Sequence, residues 1–288
     1  MKIAIASGKG GTGKTTIATN LAYIADGSGR KVQYLDCDVE EPNGHIFLKP
    51  KIEKTRAVTV DAPEVDLKKC TGCGKCGEIC QYSAIVHLAD NNVLTFEQLC
   101  HSCGGCLRVC PADAIKPKPL NIGDIESGTA GDIEFVQGRL RLGSIRTVSL
   151  IKEVKKHIKR DSLAIIDVPP GTSCPVVEAV KGADFVLLVT EPTPFGLNDL
   201  KLTVGLVRAL HLPFAVVINR YGIGNEDAEK YCKAESVEIA LKLPDDRRIA
   251  ETYSSGKVIV DVLSEYKEAF FLIYEYIKNI KARIDDKR

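Results

Sequence analysis

Gly8-Lys9-Gly10-Gly11-Thr12-Gly13-Lys14-Thr15 decides how the rest of this chain is read. A triphosphate needs many hydrogen-bond donors in little space. Glycines let the backbone curl so that successive N–H groups face the phosphates, and a helix starting directly afterwards adds its positive end. The pattern supplies both, with Lys14 to reach the β- and γ-phosphates and the Thr15 hydroxyl to ligate Mg2+. Its flanks agree. Residues 2–6 are a short apolar, β-prone run, and Ile17, Leu21 and Ile24 recur at helical spacing after Lys14. Strand, phosphate loop, helix is the reading, with ATP and Mg2+ as the ligands it implies.

Outward from the loop the same rhythm repeats. Gly27-Ser28-Gly29 is a turn, and Val32-Gln33-Tyr34-Leu35 is a second strand ending at Asp36-Cys37-Asp38. Further buried-type strands are Leu163 to Ile166, Phe185 to Val189 and Phe214 to Ile218. Nearly continuous apolar strands alternating with amphipathic helices predict an α/β fold, a mostly parallel sheet covered by helices on both faces.

Residues 65–118 interrupt that rhythm with two cysteine runs. They are Cys70-x2-Cys73-x2-Cys76-x3-Cys80 and Cys100-x2-Cys103-x2-Cys106-x3-Cys110-Pro111. Each has the spacing that holds a cubane [4Fe-4S] cluster, and in paired form the fourth cysteine of each run serves the other cluster. Cys70, Cys73, Cys76 and Cys110 would then hold one cluster, and Cys100, Cys103, Cys106 and Cys80 the other. Zinc is the competing reading, because Cys-x2-Cys pairs also build zinc ribbons; the x2, x2, x3 spacing and the duplication argue against it. Gln81 stands where the second run has Pro111, a change that leaves the ligands intact and bears on the local turn. Lys116-Pro117-Lys118-Pro119 reads as an exit linker. The expected organisation is therefore 1–64 and 119–288 as one nucleotide domain, interrupted by 65–118 as a small α+β ferredoxin-like insert.

Bulk composition narrows the setting. The chain has 288 residues, 27% charged and 44% apolar, with a formal net charge of +1. No global field points to nucleic acid or an anionic membrane, so no nucleic-acid partner is expected. The apolar runs are far shorter than the roughly 20 residues that span a bilayer. The first residues resemble a signal sequence only superficially, since cleavage would destroy the phosphate loop. A cytoplasmic protein is expected. Eight of eleven cysteines fall in the two runs, which disfavours a disulfide framework. Of the others, Cys37 and Cys232 read as structural, and Cys174 as a helix-start residue or a docking or ligand residue near a switch.

Gly8-Lys9-Gly10-Gly11-x-Gly13-Lys14-Thr15-Thr16, with a lysine directly after the first glycine, resembles the deviant phosphate loop of MinD/ParA-type ATPases. The resemblance implies that Lys9 crosses a dimer interface to the partner's nucleotide, and it makes residues 8–16 the phosphate-binding set. Leu35 to Asn43 looks like the family's first switch, with Asp38 handling the attacking water, Asp36 supporting Mg2+ and Asn43 near the nucleotide. Asp167-Val168-Pro169-Pro170-Gly171-Thr172 resembles the second switch, with Asp167 on the Mg2+ side. Asn219 looks like the adenine-reading asparagine, and Leu243-Pro244-Asp245-Asp246 like the loop that closes over the base. A turn-forming role is the alternative for Asn219. Members that cycle on membranes end in a basic amphipathic helix, but the aromatics of Tyr266 to Ile284 and the closing Asp285-Asp286 fit a helix packed on the sheet better.

The whole chain thus resembles a MinD-type ATPase carrying an inserted two-cluster ferredoxin domain. Three readings follow. The leading one is a homodimer formed on ATP binding, in which hydrolysis gates electron transfer to a partner protein. A second is ATP-dependent assembly or delivery of iron–sulfur or related metallocofactors; the absence of a Cys-x2-Cys pair outside the insert counts against simple carriage. A third is cellular positioning with the insert as a sensing module.

Overall fold

The computed structural model describes residues 1–88 and 92–285. In chain order the first elements are β1 (Lys2–Ala6), α1 (Lys14–Asp26), β2 (Val32–Asp36), α2 (Gly44–Leu48) and β3 (Lys51–Val65). Then come α3 (Lys75–Ile79), β4 (Ile85–His87), β5 (Val93–Thr95), α4 (Gly105–Val109), β6 (Ile115–Ala130) and β7 (Ile133–Leu140). The chain continues through α5 (Thr147–Lys155), β8 (Leu163–Asp167), α6 (Cys174–Val180), β9 (Phe185–Thr190), α7 (Pro194–Ala209) and β10 (Phe214–Tyr221). It closes with α8 (Asp227–Ala234), β11 (Ile239–Pro244), α9 (Arg247–Ser254), α10 (Ile259–Val262) and α11 (Lys267–Asp285). Two compact units result. One is Met1–Thr55, Ile125–Arg139 and Ile151–Arg288; the other is Arg56–Asp124 and Leu140–Leu150.

In the larger unit the sheet runs β11-β10-β9-β1-β8-β2-β7, completed by its parts of β6 and β3. The pairs β1–β8, β1–β9, β2–β8, β9–β10, β10–β11 and β2–β7 are all parallel. This is the α/β architecture that the apolar strands predict, and β1, β2, β8 and β9 are buried almost throughout. Register then brings two acids together. Asp36 lies opposite Asp167 across β2–β8, so two carboxylates end adjacent strands at the sheet's carboxyl edge. β1 runs out at the same edge, directly into the phosphate loop. In open α/β sheets that edge is where ligands bind.

One face is sealed by α1 and α11. Ile17, Leu21 and Ala25 from α1 join Phe270, Ile273, Tyr274 and Ile277 from α11 in the main core. The C-terminal helix is therefore built as a core helix, while Phe271 and Leu272 point to solvent at 48% and 60% exposure. Among the described residues no helix is long and apolar enough to cross a membrane. The side chains of Asp285 and Asp286 lie outside the described residues. Cys37 and Cys232 are fully buried, as small structural side chains would be.

One expectation fails. Lys116-Pro117-Lys118-Pro119 is not a linker: it is the start of β6. Proline removes a donor and fixes φ, but that φ suits extended backbone, and these four residues are exposed, away from any buried ladder that needs their N–H groups.

The smaller unit keeps the sequence duplication in three dimensions. α3 and α4 each follow a left-handed glycine, Gly74 (φ 74°) and Gly104 (φ 70°). The turns after Cys80 and Cys110 each place a non-glycine at positive φ, Ser83 at 51° and Asp113 at 48°. Gln81 therefore leaves the same turn as Pro111. β4 and β5 form an antiparallel hairpin, Ile85 opposite Thr95, and a small core joins Cys76, Ile85, Cys106 and Ile115.

The core role of α11 sets a prediction. Phe270→Ala should cost about 3–5 kcal/mol of unfolding free energy, as for a fully buried aromatic, whereas Phe271→Ala should change it by less than about 0.5 kcal/mol. Equal effects in urea unfolding would contradict this packing.

Candidate nucleotide site and cysteine cavities

The loop after β1 is shaped by its glycines. Gly11 and Gly13 take φ of 77° and 91°, where side chains are strained. A Cβ on Gly13 would also stand 2.2 Å from Asn219 Nδ2, and one on Gly8 2.5 Å from Asp199 Cβ. α1 opens at Lys14 with Gly13 as its N-cap, and no side chain caps it. The helix's first N–H groups thus keep their affinity for an anion. Thr12 Oγ1 is buried without a protein partner. Asn219 Nδ2 donates to the Thr12 carbonyl at 2.8 Å, so the β10 asparagine braces the loop.

Lys14 is 6% exposed and faces Asp167 and Asp38. Its Nζ donates to Asp167 Oδ1 at 2.6 Å and reaches Asp38 Oδ2 at 3.5 Å. Burial alone pulls the ammonium pKa down, but Asp167 and then Asp38 outweigh it and hold the net shift upward. Tyr34, one residue pair back along β2, donates its hydroxyl to Asp167 Oδ2 at 2.9 Å. Burial, with Asp167 and Asp36 nearby, pushes that phenol up. Asp36 Oδ1 accepts from the Asp38 N–H at 3.1 Å and Oδ2 from the Gly44 N–H at 2.9 Å. It therefore pins both ends of the 36–44 loop. Burial foremost, and then the neighbouring Asp167, push its carboxyl up, while burial lifts Asp38 to about 6. Gly44 is required where the loop ends: a Cβ there would sit 2.4 Å from the Tyr34 ring.

Lys9 does not float in solvent. It pairs with Glu191, a nearly buried acid just past β9, which Arg220 Nη1 also approaches at 3.4 Å. Asn219, Pro244 and Asp245 line one cavity with Gly11, Gly13 and Thr16, and Arg220, Ile249 and Tyr253 complete its wall. Three residues of the phosphate-loop stretch thus share one cavity with the residues singled out for the base. Asn43 stands apart from that cavity, as the N-cap of α2. Thr15 stands at the second position of α1. Cys174 begins α6 but is exposed, so it does not pack into the core as a helix-start residue was expected to.

Sequence reasoning passed over Tyr34, Glu191 and Tyr253. Tyr34 carried a signal, since it shares a strand face with Asp36. Glu191 carried one too, an acid ending an apolar strand as Asp36 and Asp167 do. Tyr253, whose ring lies 4.7 Å from that of Phe47, carried none.

In the smaller unit the cysteines fall into two cavities. Cys70, Cys73, Cys76 and Cys110 line one, of about 340 Å3 including its mouth, together with Val65, His87 and Ile115. Cys80, Cys100, Cys103 and Cys106 line the other, of about 780 Å3 including its mouth, beside Tyr82, His101 and Ser102. The grouping is the crossed one, with the fourth cysteine of each run in the other run's cavity. Backbone N–H groups of Ala84, Ala114 and Ser102 donate to the sulfurs of Cys80, Cys110 and Cys100, each at 3.3 Å. Among the described residues no three His, Cys, Asp or Glu side chains converge on a point as around a single ion. The thiols stand around volumes instead.

A family model described as the CobQ/CobB/MinD/ParA nucleotide-binding domain matches residues 3–259. The chain belongs to this nucleotide-binding family. Two uncharacterised proteins of Methanocaldococcus jannaschii are each 32% identical to it, one over 261 residues (89% of this chain, 90% of the relative), the other over 280 (96% of each). An iron–sulfur cluster carrier protein of Pyrococcus horikoshii is 26% identical over 276 residues, covering 90% of this chain and 79% of the carrier. The cell-division ATPase MinD of Pyrococcus furiosus shares the fold, with a TM-score of 0.59 at 23% identity, 97% of this chain and 99% of that one being covered.

Gly13→Ala tests the loop directly. It should weaken binding of an ATP analogue at least about tenfold, the equivalent of 1.4 kcal/mol, while the circular dichroism spectrum stays unchanged. Titration calorimetry reads the affinity, and undiminished binding would contradict a phosphate cradle built on this glycine.

Proposed function

We propose that this chain is an ATP-hydrolysing iron–sulfur protein in which nucleotide binding gates electron transfer through two [4Fe-4S] clusters to a partner protein. The observation that carries the reading is the sorting of eight thiols into two cavities by the crossed pattern. Soft thiol donors and sulfur atoms receiving backbone N–H bonds suit a cubane, and the x2, x2, x3 spacing argues against zinc. The clusters supply one-electron chemistry. The chain's own residues hold them: Cys70, Cys73, Cys76 and Cys110 for one, Cys100, Cys103, Cys106 and Cys80 for the other.

At the nucleotide site the division of labour follows from position. The loop from Gly8 to Thr16 takes the phosphates, Lys14 meets their charge, and Thr15 with Asp36 and Asp167 serves Mg2+. Asp38, the more exposed of the switch acids, orients water. Asn219, Pro244 and Asp245 take the base, and Asn43 turns the first switch into α2. Lys9 then acts across an ATP-dependent homodimer, which requires it to exchange Glu191 for the partner's nucleotide. A cytoplasmic setting fits such a protein.

A second reading is favoured by the carrier proteins among the relatives: ATP-dependent delivery of an iron–sulfur cluster to a client. Anaerobic purification with iron and sulfide analysis, followed by incubation with an apo-ferredoxin and with a redox dye, separates the two. With the clusters first reduced by dithionite and the excess removed, electron transfer predicts that they are oxidised by the dye, which is reduced, at a rate that depends on ATP, with cluster content constant. Delivery predicts ATP-dependent loss of cluster to the apo-protein.

The crossed ligand sets make a sharper forecast. Cys70→Ser and Cys110→Ser should abolish the same electron paramagnetic resonance signal, and Cys80→Ser and Cys100→Ser the other; pairing by run instead would sink the assignment. Lys9→Ala should leave nucleotide binding within about threefold (roughly 0.7 kcal/mol) and remove the ATP-induced dimer in light scattering.

A further inference from the structure

Each cysteine cavity has in its lining one residue with a buried side-chain polar atom that lacks a protein partner. In the first it is His87 Nε2, in the second Ser102 Oγ. A buried polar group left unpaired is costly, and native proteins keep few of them. The other such atoms among the described residues are Thr12 Oγ1, in the phosphate loop, and His45 Nδ1, Gln137 Oε1 and Arg146 Nε, which line neither cavity.

The two groups come from non-equivalent places in the duplication. With a repeat offset that maps Cys70 onto Cys100, the counterpart of His87 is Pro117, and that of Ser102 is Gly72. Neither counterpart has a side-chain donor. His87 ends β4, and its ring lies beside the Gly74 turn that starts α3; Nδ1 is 4.0 Å from where a Cβ on Gly74 would stand. Ser102 is held at a φ of 56° between Cys100 and Cys103, its own N–H already given to Cys100 Sγ.

We propose that His87 and Ser102 each donate a hydrogen bond to a sulfur of the cluster in their own cavity and so set the two reduction potentials independently. This assignment rests on the proposal that the chain holds two clusters. Reduction adds negative charge to a cluster, and a donor aimed at its sulfurs favours the more negative state, raising the potential. The duplicated module would thus tune its two clusters with unmatched donors. Unequal donors let it order them, which a relay that passes electrons in one direction needs.

The test is an anaerobic redox titration of the full-length, cluster-loaded protein, followed by electron paramagnetic resonance. His87→Leu should lower the midpoint of the signal lost in Cys70→Ser and leave the other in place. Ser102→Ala should lower the midpoint of the signal lost in Cys100→Ser and leave the first in place. His87→Gln and Ser102→Thr, which keep a donor, should stay near the parent values. Midpoints that do not move, that move together in either variant, or that move equally in the donor-keeping variants overturn the proposal while leaving the clusters standing. A parent protein that assembles no iron and sulfide overturns the cluster reading itself, and the proposal with it.

Discussion

The larger unit depends on one buried cation. Lys14 is held almost out of water between Asp167 and Asp38, with Asp36 close behind. Removing an ammonium from water is expensive unless carboxylates surround it, and carboxylates brought this close repel unless a cation sits among them. Neither arrangement exists without the other. The acids are brought together by parallel register, Asp36 beside Asp167, and the cation by the loop that leaves the strand next door. Tyr34 steadies Asp167 from below, and Asp36 spends its oxygens on the backbone of the loop that carries Asp38. Under the proposed function, a triphosphate with its Mg2+ would compete for both sides of this balance and so reach the 36–44 loop and the segment after Asp167.

The smaller unit obeys a different constraint. It has too little apolar material for a large core; its centre joins two cysteines to two isoleucines. Its order comes from a twice-used backbone device, a left-handed glycine before a one-turn helix and a left-handed residue three after the last cysteine. The device brings four thiols around each of two volumes. Small domains of this kind commonly draw part of their stability from a bound metal group. His87 and Ser102 have no counterpart side-chain donor across the duplication, where Pro117 and Gly72 stand.

Much of this was legible in the chain. The phosphate loop, the apolar strands and the acids ending them follow from short-range rules, since glycine freedom and strand burial act within a few residues. The grouping of the cysteines around two cavities follows the paired-cluster pattern expected of such runs, in which the fourth cysteine crosses to the other group. Spacing within one run does not specify that crossing. The prolines at 117 and 119 misled, because proline forbids a ladder donor and not an extended backbone. Tyr253 was invisible, since its meeting with Phe47 joins segments far apart in the chain.

What the sequence determined by itself was therefore chemistry at close range: a phosphate cradle, two thiol sets and a buried parallel sheet. The tertiary structure alone decided who restrains whom. Lys9 is held by Glu191, Asn219 braces Thr12, and α11 is a core helix, each through contacts between residues far apart in sequence. Local pattern encodes what a backbone segment can do. Only packing, through register and burial, chooses the partner that each side chain meets.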